Sequence, residues 1–256
     1  AGEGMDAWID TYHSVRQLTR RGTPVFLTDS AVGLPEEDNL RHLSTNLGAD
    51  APRERIVPFL TSKHPLDYCL SYADRADQLG FPALVVLGGD KHVGAPRCLD
   101  HAWQLRAAIR ARQPALTLGG WANPHADPAW QADLLAADTF TGEFYLTQIV
   151  SHYHAAAVER FVREVERRGV RMPAMFGVFY YRSANPKTLA VLSEFLPVPV
   201  EKLTAEFREG ATPVDVCART LRTLVNAGAR HFYVSNLPLS RAMTTLTTIL
   251  SKAGLL

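Results

Sequence analysis

Short, continuously apolar runs alternate with amphipathic segments along the whole chain, and this rhythm predicts an α/β protein of the (β/α)₈ TIM-barrel type. Two further observations favour that fold class. Several amphipathic segments end in a glycine immediately before the next apolar run. The chain has 256 residues, of which 46% are hydrophobic and 21% charged, and one barrel of this type typically needs about 250 residues.

Seven apolar runs of four to six residues are predicted to be strands. Each is bounded by Gly, Pro or charged residues, and most are rich in β-branched or aromatic side chains. Continuous rather than alternating hydrophobicity is typical of strands buried on both faces, as in a parallel sheet. The runs are residues 24–28, 56–60, 83–87, 116–119, 143–148, 173–178 and 230–235.

Helical patterns lie between these runs, for example over residues 5–20, 66–79, 97–112, 154–168 and 213–227. Four of them end through Gly22, Gly80, Gly169 and Gly228, each just ahead of a predicted strand. Glycine after the last turn is the expected helix stop, because it adopts the left-handed conformation without steric cost. Repeated helix–Gly–strand units indicate right-handed βαβ crossovers in a parallel sheet.

A closed barrel needs eight strands, and the pattern supplies seven. Since the sequence opens directly into a helical pattern, the missing strand is expected to be the first, either absent from this sequence or replaced by another element. The alternative fold is a doubly wound open sheet, but no GxGxxG follows any predicted strand. We therefore predict one barrel domain over residues 1–256.

Composition excludes several classes of function. The formal net charge is +1, so no overall field favours nucleic acid or an acidic membrane surface. Arg106, Arg110 and Arg112 are spaced for one helix face, which we interpret as solvated. Three cysteines without a CxxC pair fit a reducing compartment. No signal peptide and no apolar run of roughly 18 residues is found, so a cytoplasmic location without membrane insertion is expected.

In barrels of this type the active site lies at the carboxyl ends of the strands. The residues that follow the predicted strands combine small, polar and aromatic side chains, which suits a planar heterocycle better than a phosphate monoester. They are Thr28 and Asp29, Thr61, Gly88 to Asp90, Trp121, Gln148, Tyr180 and Tyr181, and Asn236. We expect Thr28, Asp90, Trp121 and Gln148 to converge on one pocket.

His152 and His154 form an HxH pattern that would suggest a metal-dependent hydrolytic barrel. Such enzymes carry this pattern on the first strand and add His and Asp ligands on later strands. Here it follows a run that corresponds to the sixth barrel strand, without such partners. The sequence therefore predicts no metal site.

Six segments, in order along the chain, resemble the methylenetetrahydrofolate reductase family. VVLGGD is similar to the family's Leu-Arg-Gly-Asp strand end, and EFYLTQIVSH to its Thr-Gln strand. The other four are FLTDSAVG, VPFLTSK, GGWANPH and NAGARHFYVSNLP. Each segment is weak alone, but together they cover nearly the whole chain from about residue 24 to about residue 250.

The resemblance implies a flavin-linked oxidoreductase that interconverts 5,10-methylenetetrahydrofolate and 5-methyltetrahydrofolate, with FAD or FMN as cofactor and NAD(P)H or a partner protein as electron donor. Asp90 and Gln148 would be the catalytic residues, Asp90 beside the flavin and the folate pterin, Gln148 bonded to the substrate ring. The remaining flavin-site residues would be Thr28, Asp29, Thr61, Gly89, Trp121 and His125. A carboxylate beside the flavin would favour a cationic folate iminium.

Three departures from the family's pattern affect the cofactor prediction. The family's Arg before Gly-Asp is Gly88 here. Its basic Leu-Lys-Arg-Lys stretch is replaced by LLAAD at residues 134–138. Its stacking Phe corresponds to Leu192, for which Tyr180 or Tyr181 could substitute. The family's catalytic acid belongs to the first strand. These losses predict weak flavin binding.

An alternative hypothesis follows from these departures, that of a folate-binding barrel without its own flavin, acting as a subunit of a larger complex or in a demethylation or one-carbon pathway. A homo-oligomer or a partner subunit is compatible with either hypothesis.

Overall fold

The computed structural model describes residues 2–28, 40, 47–48 and 51–256. The strands are β1 (Val25–Leu27), β2 (Ile56–Thr61), β3 (Ala83–Leu87), β4 (Thr117–Ala122), β5 (Phe144–Ile149), β6 (Ala174–Phe179) and β7 (His231–Ser235). The helices are α1 (Gly2–Arg20), α2 (Leu66–Gln78), α3 (Ala102–Arg112), α4 (Pro128–Ala136), α5 (Ala155–Arg167), α6 (Pro186–Ser193), α7 (Val200–Arg208), α8 (Pro213–Asn226) and α9 (Ala242–Ala253).

The seven strands form one sheet in the order β1 to β7, which is also their order along the chain. β1 pairs with β2 in parallel, with Val25 opposite Ile56, and β6 pairs with β7 in parallel, with Met175 opposite His231. β2, β3 and β4 are likewise joined in parallel pairs. The predicted α/β class with a parallel sheet is confirmed, and every predicted strand is present within a few residues of its expected bounds. The eighth strand stays a prediction.

The chain divides into two compact units. Unit 1 consists of Ala1–Gly120 and Asp138–Tyr145, and unit 2 of Trp121–Ala137 and Leu146–Leu256. Among the described residues, none of the helices has the length and apolarity needed to cross a bilayer. The single-domain assignment stays a prediction.

The core of unit 1 lies between its strands and helices α2 and α3. Leu60, Leu84 and Val86 from the strands and Leu105 and Ile109 from α3 have essentially no exposed surface. The apolar spacing along α3 places these two residues on the face turned to the sheet. The prediction that the segment at residues 66–79 packs as a helix is confirmed by Cys69, Tyr72, Ala73 and Ala76, all of which are buried.

Three helices of unit 2, α4, α6 and α8, begin with the same local signal, a capping residue followed by proline. Asp127 accepts a hydrogen bond from the Trp130 N–H at 2.7 Å, and Asn185 accepts one from the Lys187 N–H at 3.0 Å. Thr212 and Asp215 form a reciprocal capping box at the start of α8. Proline suits the first helical position because it lacks the N–H that would have no partner there.

The predicted helix stops are confirmed. Gly22, Gly80, Gly169 and Gly228 have φ values of 89°, 82°, 70° and 99°, all in the left-handed region. One helix boundary was wrong, because α3 begins at Ala102 and not near Arg97. His101 caps the helix in a box with Gln104, and the residues before it form a loop.

The interpretation of the arginine face on α3 was wrong for one residue. Arg106 is only 4% exposed; its Nε donates to the Phe140 carbonyl at 2.8 Å, and its Nη1 to the Val86 carbonyl at 3.2 Å. The guanidinium also lies 4.7 Å from the centre of the Phe140 ring. Arg110 and Arg112 do lie at the surface, paired with Glu143 and Asp74. Spacing alone does not distinguish these environments, because the strand end that covers Arg106 is remote in sequence.

Candidate functional site

Parallel pairing brings the ends of β2 and β3 together in unit 1. Thr61 pairs with Leu87, the Ser62 N–H donates to the Leu87 carbonyl at 2.9 Å, and the Ser62 hydroxyl donates to the Gly88 carbonyl at 3.1 Å. Thr61 is the buried last residue of β2, and Gly89 has a φ of 69°. Thr28 is exposed just after β1, and Asp29 lies outside the described residues.

Asp90 is held in an ionised state by its own loop. Its Oδ1 accepts hydrogen bonds from the His92 N–H at 2.8 Å and the Val93 N–H at 3.0 Å. These bonds lower the pKa of the Asp90 carboxyl, and the positive charge of Lys63 acts in the same direction. The arrangement is the turn-capping geometry typical of aspartate, and it leaves Oδ2 without a bond to a described residue.

Two cations hold the loop that follows β3. The Lys63 ammonium is buried and donates to the Val93 carbonyl at 2.8 Å and the Ala95 carbonyl at 2.7 Å. Arg97 Nη2 donates to the Gly89 carbonyl at 2.6 Å. Neither cation forms an ion pair with a described carboxylate, although the charge of Lys63 acts on Asp90.

The glycine at position 88 makes room for Arg97. A Cβ built on Gly88 would lie 2.8 Å from Cζ of Arg97, closer than real Cβ contacts come. The space that a side chain at position 88 would occupy is therefore filled by the guanidinium of Arg97. Its Nε is buried and has no hydrogen-bond acceptor among the residues that the structure describes.

In unit 2, Trp121 lies on β4 with 38% of its surface exposed, and His125 follows four residues later. His125 Nε2 lies 2.8 Å from the Ile149 carbonyl, and because a carbonyl only accepts, this nitrogen carries the proton. The backbone N–H of His125 donates to the Asn123 side chain at 3.0 Å. The loop after β4 is thereby fixed to the end of β5.

Gln148 occupies the next-to-last position of β5 and is half-buried. Its Oε1 accepts a hydrogen bond from the Ile149 N–H at 2.8 Å, so its orientation is set by its own backbone. The amide nitrogen makes no hydrogen bond to a described residue, which leaves two N–H donors for a ligand. The neighbouring Thr147 is fixed by Tyr233, whose hydroxyl donates to the Thr147 carbonyl at 2.6 Å.

The turn after β5, residues His152–His154, carries a buried polar cluster that the sequence did not reveal. Glu206 of α7 is 5% exposed; it accepts a hydrogen bond from the Tyr153 hydroxyl at 2.6 Å, lies 3.2 Å from His152 Nε2, and pairs with Arg219. His152 Nδ1 lies 2.9 Å from the Thr220 hydroxyl. Burial lowers the pKa of His152, against the opposing effect of Glu206.

His154 and His152 have different contact partners. Its Nδ1 accepts from the Ser151 N–H at 3.1 Å, and its ring meets that of His125 edge-on at 4.6 Å. Burial, and then the nearby His125, lower the pKa of His154 to about 4, so the imidazole is neutral at pH 7. His154 also lines a cleft of about 290 Å³ together with Tyr153 and residues 199–202 of the start of α7.

The aromatic residues after β6 are packed rather than open. Tyr180 is 7% exposed, and burial raises its pKa. Tyr181 is 5% exposed and belongs to an apolar cluster with Leu189, Leu203 and Val216, and Leu192 packs against the same cluster. Leu192 therefore contributes to the packing of unit 2.

Within the described part of the chain, no group of three or more His, Cys, Asp or Glu residues could hold a metal ion. One ring nitrogen of His125 bonds to the Ile149 carbonyl, and one of His154 accepts from the Ser151 N–H. Sequence reasoning missed Arg97 because it fell inside a predicted helix. It also missed Glu206, which lies in α7, 53 residues beyond Tyr153, to which it bonds.

Comparison with known proteins gives a result for the fold only. The sequence matches no family model and no curated protein. A putative phosphonomutase from Burkholderia cenocepacia J2315 has a similar structure, with a TM-score of 0.52, 13% identity, and coverage of 95% of this chain and 89% of that chain. A monomeric dihydrodipicolinate synthase variant aligns with a TM-score of 0.44 and 15% identity over 97% of this chain and 91% of that chain.

Pyruvate carboxylase from Rhizobium etli aligns with a TM-score of 0.43 and 12% identity over 83% of this chain and 23% of that chain. Of these three, only the likeness to the phosphonomutase is close enough to bear on the architecture, and at its level of identity it concerns the fold alone. Together with the parallel sheet of consecutive strands, it shows that the chain has an α/β fold of the TIM-barrel type.

Proposed function

We propose that this chain is an oxidoreductase that interconverts 5,10-methylenetetrahydrofolate and 5-methyltetrahydrofolate by hydride transfer, through a flavin or directly from a nicotinamide. The observation that carries the proposal is the Asp90 carboxylate, fixed and ionised at the carboxyl end of β3. A fixed negative charge stabilises positive charge that develops on a bound heterocycle, as the iminium form of the substrate requires.

The placement of the motif segments also supports the proposal. The segments that resemble the reductase family include the ends of β2, β3, β4, β5 and β7, where a barrel-type fold carries its chemistry. Gln148 is oriented with a free amide N–H, which suits a hydrogen bond to an acceptor on the substrate ring. His125 is held against β5 on the same unit as Gln148.

The residues of unit 1 fit a flavin nucleotide better than the sequence suggested. The arginine that the reductase family has before Gly-Asp is Gly88 here, but the guanidinium of Arg97 occupies the space at that position. Within unit 1, Thr61, Gly89 and Arg97 would hold the cofactor. Hydride transfer is the chemistry that a bound FAD or FMN supplies, with NAD(P)H as the source of electrons.

A second candidate, a folate-binding protein without its own flavin, is favoured by one observation. Helix α4 ends at Ala136 without a basic residue in its last turn, and Leu134 near that end is 47% exposed. A cation there would have contributed a charge-assisted hydrogen bond to a phosphate oxygen. The binding of FAD and of FMN to the full chain, each measured by titration, separates the two candidates.

The role of Asp90 can be tested without disturbing its loop. In Asp90→Asn the side-chain oxygen still accepts from the His92 and Val93 N–H groups, so the turn is kept and only the charge is lost. We expect a decrease in kcat of about 100-fold or more for the reduction of methylenetetrahydrofolate by NAD(P)H with added flavin. The control is Asp100→Asn, which removes an exposed carboxylate of the same loop and should leave kcat unchanged. An unchanged kcat in Asp90→Asn would exclude this role.

A further inference from the structure

Helix α6 of unit 2 turns an apolar face to solvent. Val191 lies on α6 and Phe195 one turn later, just past the end of the helix, and their surfaces are 57% and 59% exposed. Ala190, next to Val191, is exposed as well. The opposite face of α6 packs inward, because Leu189 is 1% exposed and Leu192 lies against the same cluster. Residues one turn apart are neighbours on a helix, so the exposed side chains form one surface, the α6 patch.

One cation and one carboxylate border the α6 patch, each at the end of the helix that disfavours its charge. Lys187 lies in the first turn, although the N-terminus of a helix is its positive end. Glu194 directly follows the last helical residue, at the negative end. Both side chains are exposed, and neither bonds to a residue that the structure describes. Within the described part of one copy, no opposite charge compensates for this placement.

The spacing of these residues is self-complementary. Lys187 and Glu194 lie equally far from the midpoint between Ala190 and Val191. When a second α6 is placed antiparallel about a two-fold axis through that midpoint, Lys187 of each copy meets Glu194 of the other. Each charge then lies beside an opposite charge and beside the favourable end of the other helix. The small side chain of Ala190 allows the two helices to approach closely at the axis.

We propose that the α6 patch is a docking surface for a second copy of this chain, with the two α6 helices paired antiparallel across a two-fold axis. Opposite charges placed symmetrically about an apolar centre suit a copy of the same surface better than an unrelated partner. A single pair of short helices buries less than the roughly 1,200 Å² of a stable interface, so the dimer is expected to be transient. The proposal is independent of the redox function, because the α6 patch contains none of the residues assigned to that function.

The test measures the self-association of the full chain by sedimentation velocity, at concentrations from about 10 μM to about 1 mM. We expect a monomer–dimer equilibrium that stops at the dimer, because a two-fold contact uses the same surface of both copies. Val191→Asp places two like charges near the axis and should raise the dimer Kd about 10-fold or more. Leu134→Asp is the matched control; it changes a leucine of α4 that is 47% exposed and should leave the dimer Kd unchanged.

Charge reversal tests the antiparallel arrangement. Lys187→Glu and Glu194→Lys each turn both ion pairs of the dimer into like-charge contacts, and each should raise the Kd about 2- to 30-fold. When these two variants are mixed in equal amounts, every contact between one and the other is again a pair of opposite charges. The mixture should therefore associate more tightly than either variant alone. Both changes affect only exposed side chains, so the test does not depend on folding.

The results that would overturn the proposal are distinct. A chain that stays monomeric at every concentration would exclude the docking surface, and oligomers larger than the dimer would exclude its two-fold closure. A dimer with the same Kd in Val191→Asp as in the wild type would place the contact elsewhere on the molecule. Weaker association in both charge variants, without recovery in their mixture, would exclude the antiparallel pairing of the two helices.

Discussion

At the scale of single residues, the environment of a charged side chain depends on remote parts of the chain. Arg106, Arg110 and Arg112 have the same sequence spacing, yet only Arg106 is enclosed, by Phe140 and the end of β3. Burial lowers the pKa of Arg106 to about 10, and the residue remains charged at pH 7. Helical periodicity predicts which residues share a face, but not which part of that face is covered.

Arg106→Ala should lower the free energy of unfolding by about 1–3 kcal/mol or more, because the carbonyls of Val86 and Phe140 would remain buried without a donor. Urea unfolding of the purified chain measures the change. Arg112→Ala is the matched control; its surface ion pair with Asp74 should contribute less than about 1 kcal/mol. Equal effects of the two substitutions would show that Arg106 does not bond these carbonyls.

Gly177 gives a second prediction at this scale. A Cβ at this position would lie 2.6 Å from Cζ of Tyr233 and 3.0 Å from Cδ1 of Ile149. Gly177→Ala should therefore destabilise the protein by about 1–3 kcal/mol through overpacking. In a Tyr233→Ala background the same substitution should cost much less, since the ring it meets is gone. Additive effects in this double-mutant cycle would contradict the contact.

At the scale of elements, the strands and the helix stops were predictable because their signals are local. A run of four to six apolar residues between polar or turn residues specifies a buried strand, and a glycine ahead of it ends the preceding helix. The start of α3 was less predictable, because His101 and Arg97 lie in a pattern that also fits a helix. Side-chain bonds to the loop, such as that of Arg97 to Gly89, decide the boundary there.

The turn after β5 should respond to acid. The pKa of His154 is lowered from 6.5 to about 4, by burial and by the nearby His125, His152 and Lys202. A group whose pKa is lower in the folded than in the unfolded state gives stability that is present above the unfolded value and is lost as pH falls toward the folded value. The protein should therefore lose stability between about pH 6.5 and about pH 4, and the burial of His152 acts in the same direction.

His154→Gln should reduce that pH dependence while retaining the turn's overall size. The measurement is urea unfolding at about pH 7 and about pH 4.5, in wild type, His154→Gln and the exposed control His92→Gln. We expect a smaller loss on acidification in His154→Gln than in the other two proteins. The same loss in all three would show that His154 is not the titrating group.

At the scale of the whole molecule, the sequence could predict the parallel α/β architecture and the strand ends that carry polar residues. Asp90 and Gln148 were identifiable because they directly follow or end a predicted strand. Arg97 and Glu206 were not identifiable, because each makes its contact only in the folded chain. The guanidinium of Arg97 occupies the space that a side chain at position 88 would fill, and Glu206 of α7 bonds to Tyr153 in the turn after β5. Such contacts leave no periodic or compositional signal.

The central claim is the redox function, and the most direct test is the reaction of bound flavin with the reduced folate. The full chain, saturated with FAD or FMN, is mixed with 5-methyltetrahydrofolate without oxygen while the visible flavin absorption is followed. We predict that the absorption is lost as the flavin is reduced, and that the folate is recovered as the methylene form. Bound flavin that keeps its absorption in the presence of saturating 5-methyltetrahydrofolate would contradict the claim.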